Sequence, residues 1–180
     1  RRLSSAASDV YKRQDNYYHN VSVVQAISYL VDQSCDVSTD NGNSLPVITP
    51  QPNILSYSIP IGTPFYLEAT ATDADEDDSL TYLWEQNDDG VVTSDNFGPN
   101  NASGAAFRSV LPSSDGNRRY FPRLSSVLSG ELTQPNPFTG GTWETLSLVP
   151  RSYDFVMTAR DNAVGGEDSV QLMLRYISGI

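Results

Sequence analysis

The 180-residue chain carries 22 Asp and Glu against 11 Lys and Arg, a net charge of −11, with 38% hydrophobic residues including ten Tyr, six Phe and two Trp. Nucleic acids and anionic membranes are bound through clustered cations, so this balance speaks against both as partners. The aromatic content suffices for a core, unlike that of acidic disordered sequence, and no apolar run is long enough to span a bilayer.

Residues 1–14 come first in the chain. Within them SSAASDVYKRQ, Ser4 to Gln14, resembles the in-frame translation of a widely used sequencing adapter, so 1–14 are read as an artefact and the chain as a fragment of something longer. The remaining 166 residues hold 7 basic and 21 acidic side chains, a net charge of −14, and no lysine. Rich in Asn, Thr, Ser, Gly and Pro, they have the composition of a secreted or cell-surface protein.

The first predicted element is a helix in VSVVQAISYLVDQ, where Val23, Ile27, Leu30 and Val31 recur at helical spacing and form one apolar stripe. Ser22 and Gln25 have the spacing of a capping box. A helix of about three turns is marginal alone in water, so the stripe needs a partner. The chain then divides near residue 36: Gly42, Pro46, Pro50 and Pro52 among short polar residues mark 37–53 as a linker.

From residue 54 the period becomes two. TPFYLEATATDAD places Phe65, Leu67, Ala69 and Ala71 on one face and Tyr66, Glu68, Thr70 and Thr72 on the other. Leu80, Tyr82 and Trp84 continue the alternation, as do Tyr153, Phe155 and Met157 and then Val170, Leu172 and Leu174. Shorter candidate strands are LSYSIP, AAFRSVLP, RRYFP and WETLSLVP, and the stretch between Gly90 and Pro150 is read as inserted loops and edge strands. About seven or eight short strands without a second helical pattern predict an all-β domain over 54–180, an immunoglobulin-like β-sandwich preceded by one short α-helix. Trp84 takes the place of that fold's buried Trp, and Tyr153 that of its corner tyrosine, whose hydroxyl bonds back to the chain. The alternative is that these are two ordinary core aromatics.

Chemistry concentrates in TDADEDDSLTY, which packs Asp73, Asp75, Glu76, Asp77 and Asp78 at the end of a strand. Carboxylates so crowded repel one another, and a hard divalent cation relieves the repulsion; Asp73, Asp75 and Asp77 are the candidate calcium ligands. An EF-hand is excluded, since its glycine position holds Asp78 and its closing glutamate position Trp84. The competing reading is a solvated acidic turn.

Catalytic and cofactor-binding residues are expected to be absent. His19 is the single histidine, too few for a zinc site, and it is read as a packed or capping residue. Neither HExxH, a phosphate loop nor CxxC occurs. Asp88 and Asp89 read as surface, with no sign of a pocket that raises one of them. Cys35 either pairs with a cysteine elsewhere or is a buried thiol.

Taken in order, YYHNVS (Tyr17 to Ser22), IPIGTPFYLEATATDADEDDSLTYLWEQ (Ile59 to Gln86), FRSVLP (Phe107 to Pro112), YFPRLSSVL (Tyr120 to Leu128) and ARDNAVGG (Ala159 to Gly166) resemble the C-terminal part of secreted bacterial reprolysin-like zinc metallopeptidases of the metzincin type. The resemblance implies that 15–36 close a catalytic domain and that an Ig-like domain akin to PKD and cadherin-type modules follows. It implies zinc in the parent domain, with every ligand upstream. Where the family commonly has glycine after DAD, this chain has Glu76. The function implied is an accessory module, structural or substrate-recruiting, partnered by the upstream peptidase domain and a protein or polysaccharide substrate. The alternative is an adhesion or carbohydrate-binding module of a cell-surface protein.

Overall fold

The computed structural model describes residues 17–31, 33, 42–49, 55–135, 141–163 and 170–178. Helix α1 (Asn20–Val31) is followed by β1 (Val47–Thr49), β2 (Leu55–Ile59), β3 (Phe65–Glu68), β4 (Thr70–Thr72), β5 (Thr81–Gln86) and β6 (Arg118–Phe121). Helix α2 (Leu124–Ser129), β7 (Arg151–Arg160) and β8 (Val170–Ser178) complete the order. The fold is all-β, its strands paired antiparallel except for β2 with β8.

One four-stranded sheet runs β2-β8-β7-β5, and two ribbons, β1-β4 and β3-β6, complete the pairing. The alternating stretch 65–72 supplies a strand to each ribbon, for it changes partner at Ala69, whose N–H donates to Asn117 O at 3.0 Å. Leu67 and Ala69 are buried while Tyr66, Glu68, Thr70 and Thr72 are exposed, as the period predicts. β1 lies inside the stretch read as linker, held there because Ile48 is buried opposite Ala71.

A single cluster draws Leu67 and Phe121 from the β3-β6 ribbon together with Trp84, Tyr153, Phe155 and Met157 from the sheet. At its centre Phe121 stands 4.5 Å from Phe155 and 5.1 Å from both Phe65 and Phe107, ring centre to ring centre. Trp84 donates its indole N–H to Asn117 O at 3.1 Å, and the Tyr153 hydroxyl accepts from Ser147 N–H at 3.1 Å, so both large aromatics enter the core with their polar atoms satisfied. Val170, Leu172 and Leu174 lie on β8 opposite Ala159, Met157 and Phe155 in backbone register, their side chains being outside those described.

Strict alternation fails where strands are covered on both faces. Leu83, Trp84 and Glu85 are buried in succession on β5, as are five successive residues of β7 from Phe155 to Ala159.

Both helices depart from expectation. α1 begins at Asn20, so Ser22 lies inside the first turn and the Ser22/Gln25 capping box does not form. The N–H groups of Ser22 and Val23 donate to His19 O at 2.9 and 3.1 Å, and that of Asn20 to a β5 carboxylate. Three of the four stripe residues are outward, with Ile27 48%, Leu30 54% and Val31 77% exposed, while Val23 is half-buried. α2 is a second helix where none was expected. Its six residues are too few to show a helical period, and Gly130 ends it in the left-handed conformation at φ 78°. AAFRSVLP and WETLSLVP form no strands; they meet in one bridge, Phe107 with Glu144.

Candidate metal site

The turn after β4 brings Asp73, Asp75 and Asp78 together, one carboxylate oxygen of each lying within 4.8 Å of the others. Asp73 Oδ1 accepts from Asp75 N–H at 3.0 Å, and Asp78 N–H donates to Asp75 O at 3.1 Å, which folds the chain back within one turn. Asp75 Oδ2 accepts from Ser44 N–H at 2.6 Å, attaching the segment before β1. Asp73 Oδ2 and Asp78 Oδ2 are shielded from solvent and have no hydrogen-bond donor. Desolvation, then the carboxylates of Asp161, Asp73, Asp75 and Asp77, hold the Asp78 carboxyl above its ordinary range.

Of the three expected ligands, Asp73 and Asp75 converge; Asp77 stays exposed outside the triad and Asp78 takes its place. Alternate spacing selects residues along an extended strand, whereas the chain here turns, so the residue three beyond Asp75 returns to it. A further carboxylate, Asp161, arrives from the end of β7, buried and held by Asn43 Nδ2 at 2.6 Å and Ala163 N–H at 3.0 Å. Asn162, at φ 61°, ties the two loops by donating from Nδ2 to Ser79 O at 2.6 Å. Nothing in the RDN sequence by itself places Asp161 beside the acidic turn.

A second polar cluster centres on Glu85. Its Oε1 pairs with His19 Nδ1 and accepts from Ser109 Oγ at 3.0 Å, its Oε2 accepts from Asn20 N–H at 2.9 Å, and Tyr17 hydroxyl donates to Ser109 Oγ at 2.7 Å. Burial pushes the Glu85 carboxyl up, but the bonds and charge of His19 and the N–H of Asn20 outweigh it and hold the group below its usual range. Serine and histidine here both bond the same carboxylate. A hydrolytic triad needs the imidazole between serine and acid, so this arrangement activates no nucleophile. His19 is a packed residue, as expected, and Asn20 beside it is buried.

Asp88 corrects the reading of the Asp88–Asp89 pair as surface. Its side chain is 11% exposed, with Oδ2 accepting from Gln86 Nε2 at 2.5 Å and Asp154 N–H at 3.2 Å. Burial raises it to about 6 against the opposing pull of these donors and Arg151. The folded chain therefore holds a proton that the unfolded chain releases, and this contribution to stability is present at low pH and lost as pH rises through about 6. Stability is expected to increase by about 1.3 kcal/mol from this group as pH falls from 7 to 5. Denaturant melts of wild type and Asp88→Asn across that range check it: the variant should lose the slope, and an unchanged slope would place its origin elsewhere.

Cys35 lies outside the described residues, and no helix among those described is long and apolar enough to cross a membrane. Comparison with family models, curated proteins and solved structures finds no match for the chain.

Proposed function

We propose that the chain is an accessory module of a secreted zinc metallopeptidase: an Ig-like, PKD- or cadherin-type β domain joined to the closing helix of a catalytic domain. The observation that carries this reading is the state of α1. Its first residue is bonded into the β domain while Ile27, Leu30 and Val31 face outward, the arrangement of a helix whose apolar side belongs to another domain. Buried Trp84 and the bond from Ser147 N–H to Tyr153 hydroxyl support the Ig-like assignment.

The gene's reading frame is expected to encode HExxHxxGxxH and a Met-turn ahead of residue 15, and the purified chain to hydrolyse no peptide with or without zinc. An upstream region made only of β modules would remove the peptidase. The adhesion or carbohydrate-binding alternative is favoured by one feature, the exposed Tyr66 beside the half-buried Tyr120, whose rings lie 5.8 Å apart.

The acidic turn is proposed as a calcium site, on the strength of the two donorless oxygens of Asp73 and Asp78. Calcium at several millimolar is expected to raise the melting temperature by linkage, the affinity being near the ~1 mM of extracellular modules. Asp78→Asn should abolish the rise and Asp77→Asn should leave it. An identical melt with and without calcium returns the cluster to a solvated turn.

A further inference from the structure

The described contacts between residues 17–31 and the β domain are gathered at one end of the segment. Tyr17 bonds Ser109, Tyr18 O accepts from Arg160 Nη2 at 2.7 Å, His19 pairs with Glu85, and Asn20 N–H donates to the other Glu85 oxygen. Beyond Asn20 no residue of α1 is buried.

We propose that the Glu85 carboxylate is an internal receptor for residues 17–20, a polar latch that opens and closes without unfolding the β domain and that fixes the direction in which α1 presents its apolar side. Three physical reasons support a separable latch. The contacts are polar and confined to one short stretch, so releasing them exposes little of the aromatic core, which draws on β3, β5, β6 and β7. The carboxylate sits at the first turn of α1, where backbone N–H groups and the helix dipole favour an anion. A helix of 12 residues is marginal alone, so its order depends on the end that is held. The charged groups at the latch are His19 from the segment, Glu85 from β5 and Arg160 from β7, which holds Tyr18 O, with Arg119 of β6 close enough to feel the Glu85 charge. The latch is a property of these residues, whichever domain α1 carries.

Amide hydrogen exchange on the full 180-residue chain, read at single residues, tests it in wild type, His19→Ala and Glu85→Gln. Removing a charge-assisted hydrogen bond changes an opening equilibrium by about tenfold or more, so the amides of Asn20, Ser22 and Val23 should exchange faster by that factor in both variants. The amides of the β5–β7 ladder should keep wild-type rates in His19→Ala. Three results would each overturn the proposal: unchanged exchange at residues 20–23 in His19→Ala, the same protection retained in Glu85→Gln, or a parallel acceleration of β5 and β7 in His19→Ala. The last would make the segment an integral part of the fold.

Discussion

Glu144→Ala is expected to destabilise the β domain by about 3–5 kcal/mol, a large part of the ~5–15 kcal/mol that holds a domain folded. The Glu144 side chain is fully buried, and its two oxygens take different partners. Oε1 accepts from Arg119 Nη2 at 2.8 Å, while Oε2 accepts from Arg123 N–H at 2.7 Å and Arg123 Nε at 3.3 Å. Arg119 is itself buried, its guanidinium 4.7 Å above the Phe121 ring and bonded to Trp84 O at 2.5 Å and to Arg108 O. Burial draws Arg119 below its ordinary value against the opposing pull of Glu144. Truncating Glu144 thus leaves a desolvated cation bonded to the neutral Trp84 and Arg108 carbonyls, with the Glu85 carboxylate acting on it only at longer range, which costs more than the pair itself contributes. Denaturant melts followed by tryptophan fluorescence would measure the loss. Adding Arg119→Met should recover part of it by removing the stranded charge, but not all, because Trp84 O and Arg108 O then lose a donor. A loss below about 1 kcal/mol for Glu144→Ala would mean that the pair behaves as an ordinary exposed bridge.

Phe121→Ala is expected to cost about 3–5 kcal/mol for a different reason, the cavity left in a close-packed interior. Phe121 is wholly buried and touches Phe65, Phe107 and Phe155, three rings from different parts of the chain. Its removal deprives each of a neighbour and strips the ring from beneath the Arg119 guanidinium. Tyr66→Ala, one register position from Phe121's partner Phe65 but on the exposed face, should stay within about 0.5 kcal/mol. Near-equal effects for the two would show that the β3-β6 ribbon is not oriented as described.

These two residues also mark what the sequence discloses. Phe65, Leu67, Ala69, Trp84, Tyr153 and Phe155 were legible because alternation and aromatic content report burial directly. Glu85, Arg119 and Glu144 were not, since a charged residue reads as surface unless its partner is known, and the partners lie 65, 66, 35 and 25 positions away for Glu85–Asn20, Glu85–His19, Arg119–Trp84 and Arg119–Glu144. Asp88 was missed for the same reason, as Arg151 and the Asp154 N–H come to it from β7. At the acidic turn composition located the carboxylate cluster but not which carboxylates converge. Choosing Asp78 over Asp77 requires the backbone bond from Asp78 N–H to Asp75 O, and Asp161 requires the tertiary fold.

The parallel pairing of β2 with β8 bears on how the domain carries load. Their register runs from Leu55 opposite Leu174 to Ile59 opposite Ser178. Tension applied through residues 55 and 178 enters at opposite ends of the same ladder and pulls the two strands past one another. The whole ladder is then strained in shear, and its hydrogen bonds must yield together, whereas an antiparallel hairpin pulled from its open end peels one bond at a time. A domain stretched through these two points is therefore braced along the direction in which it is pulled.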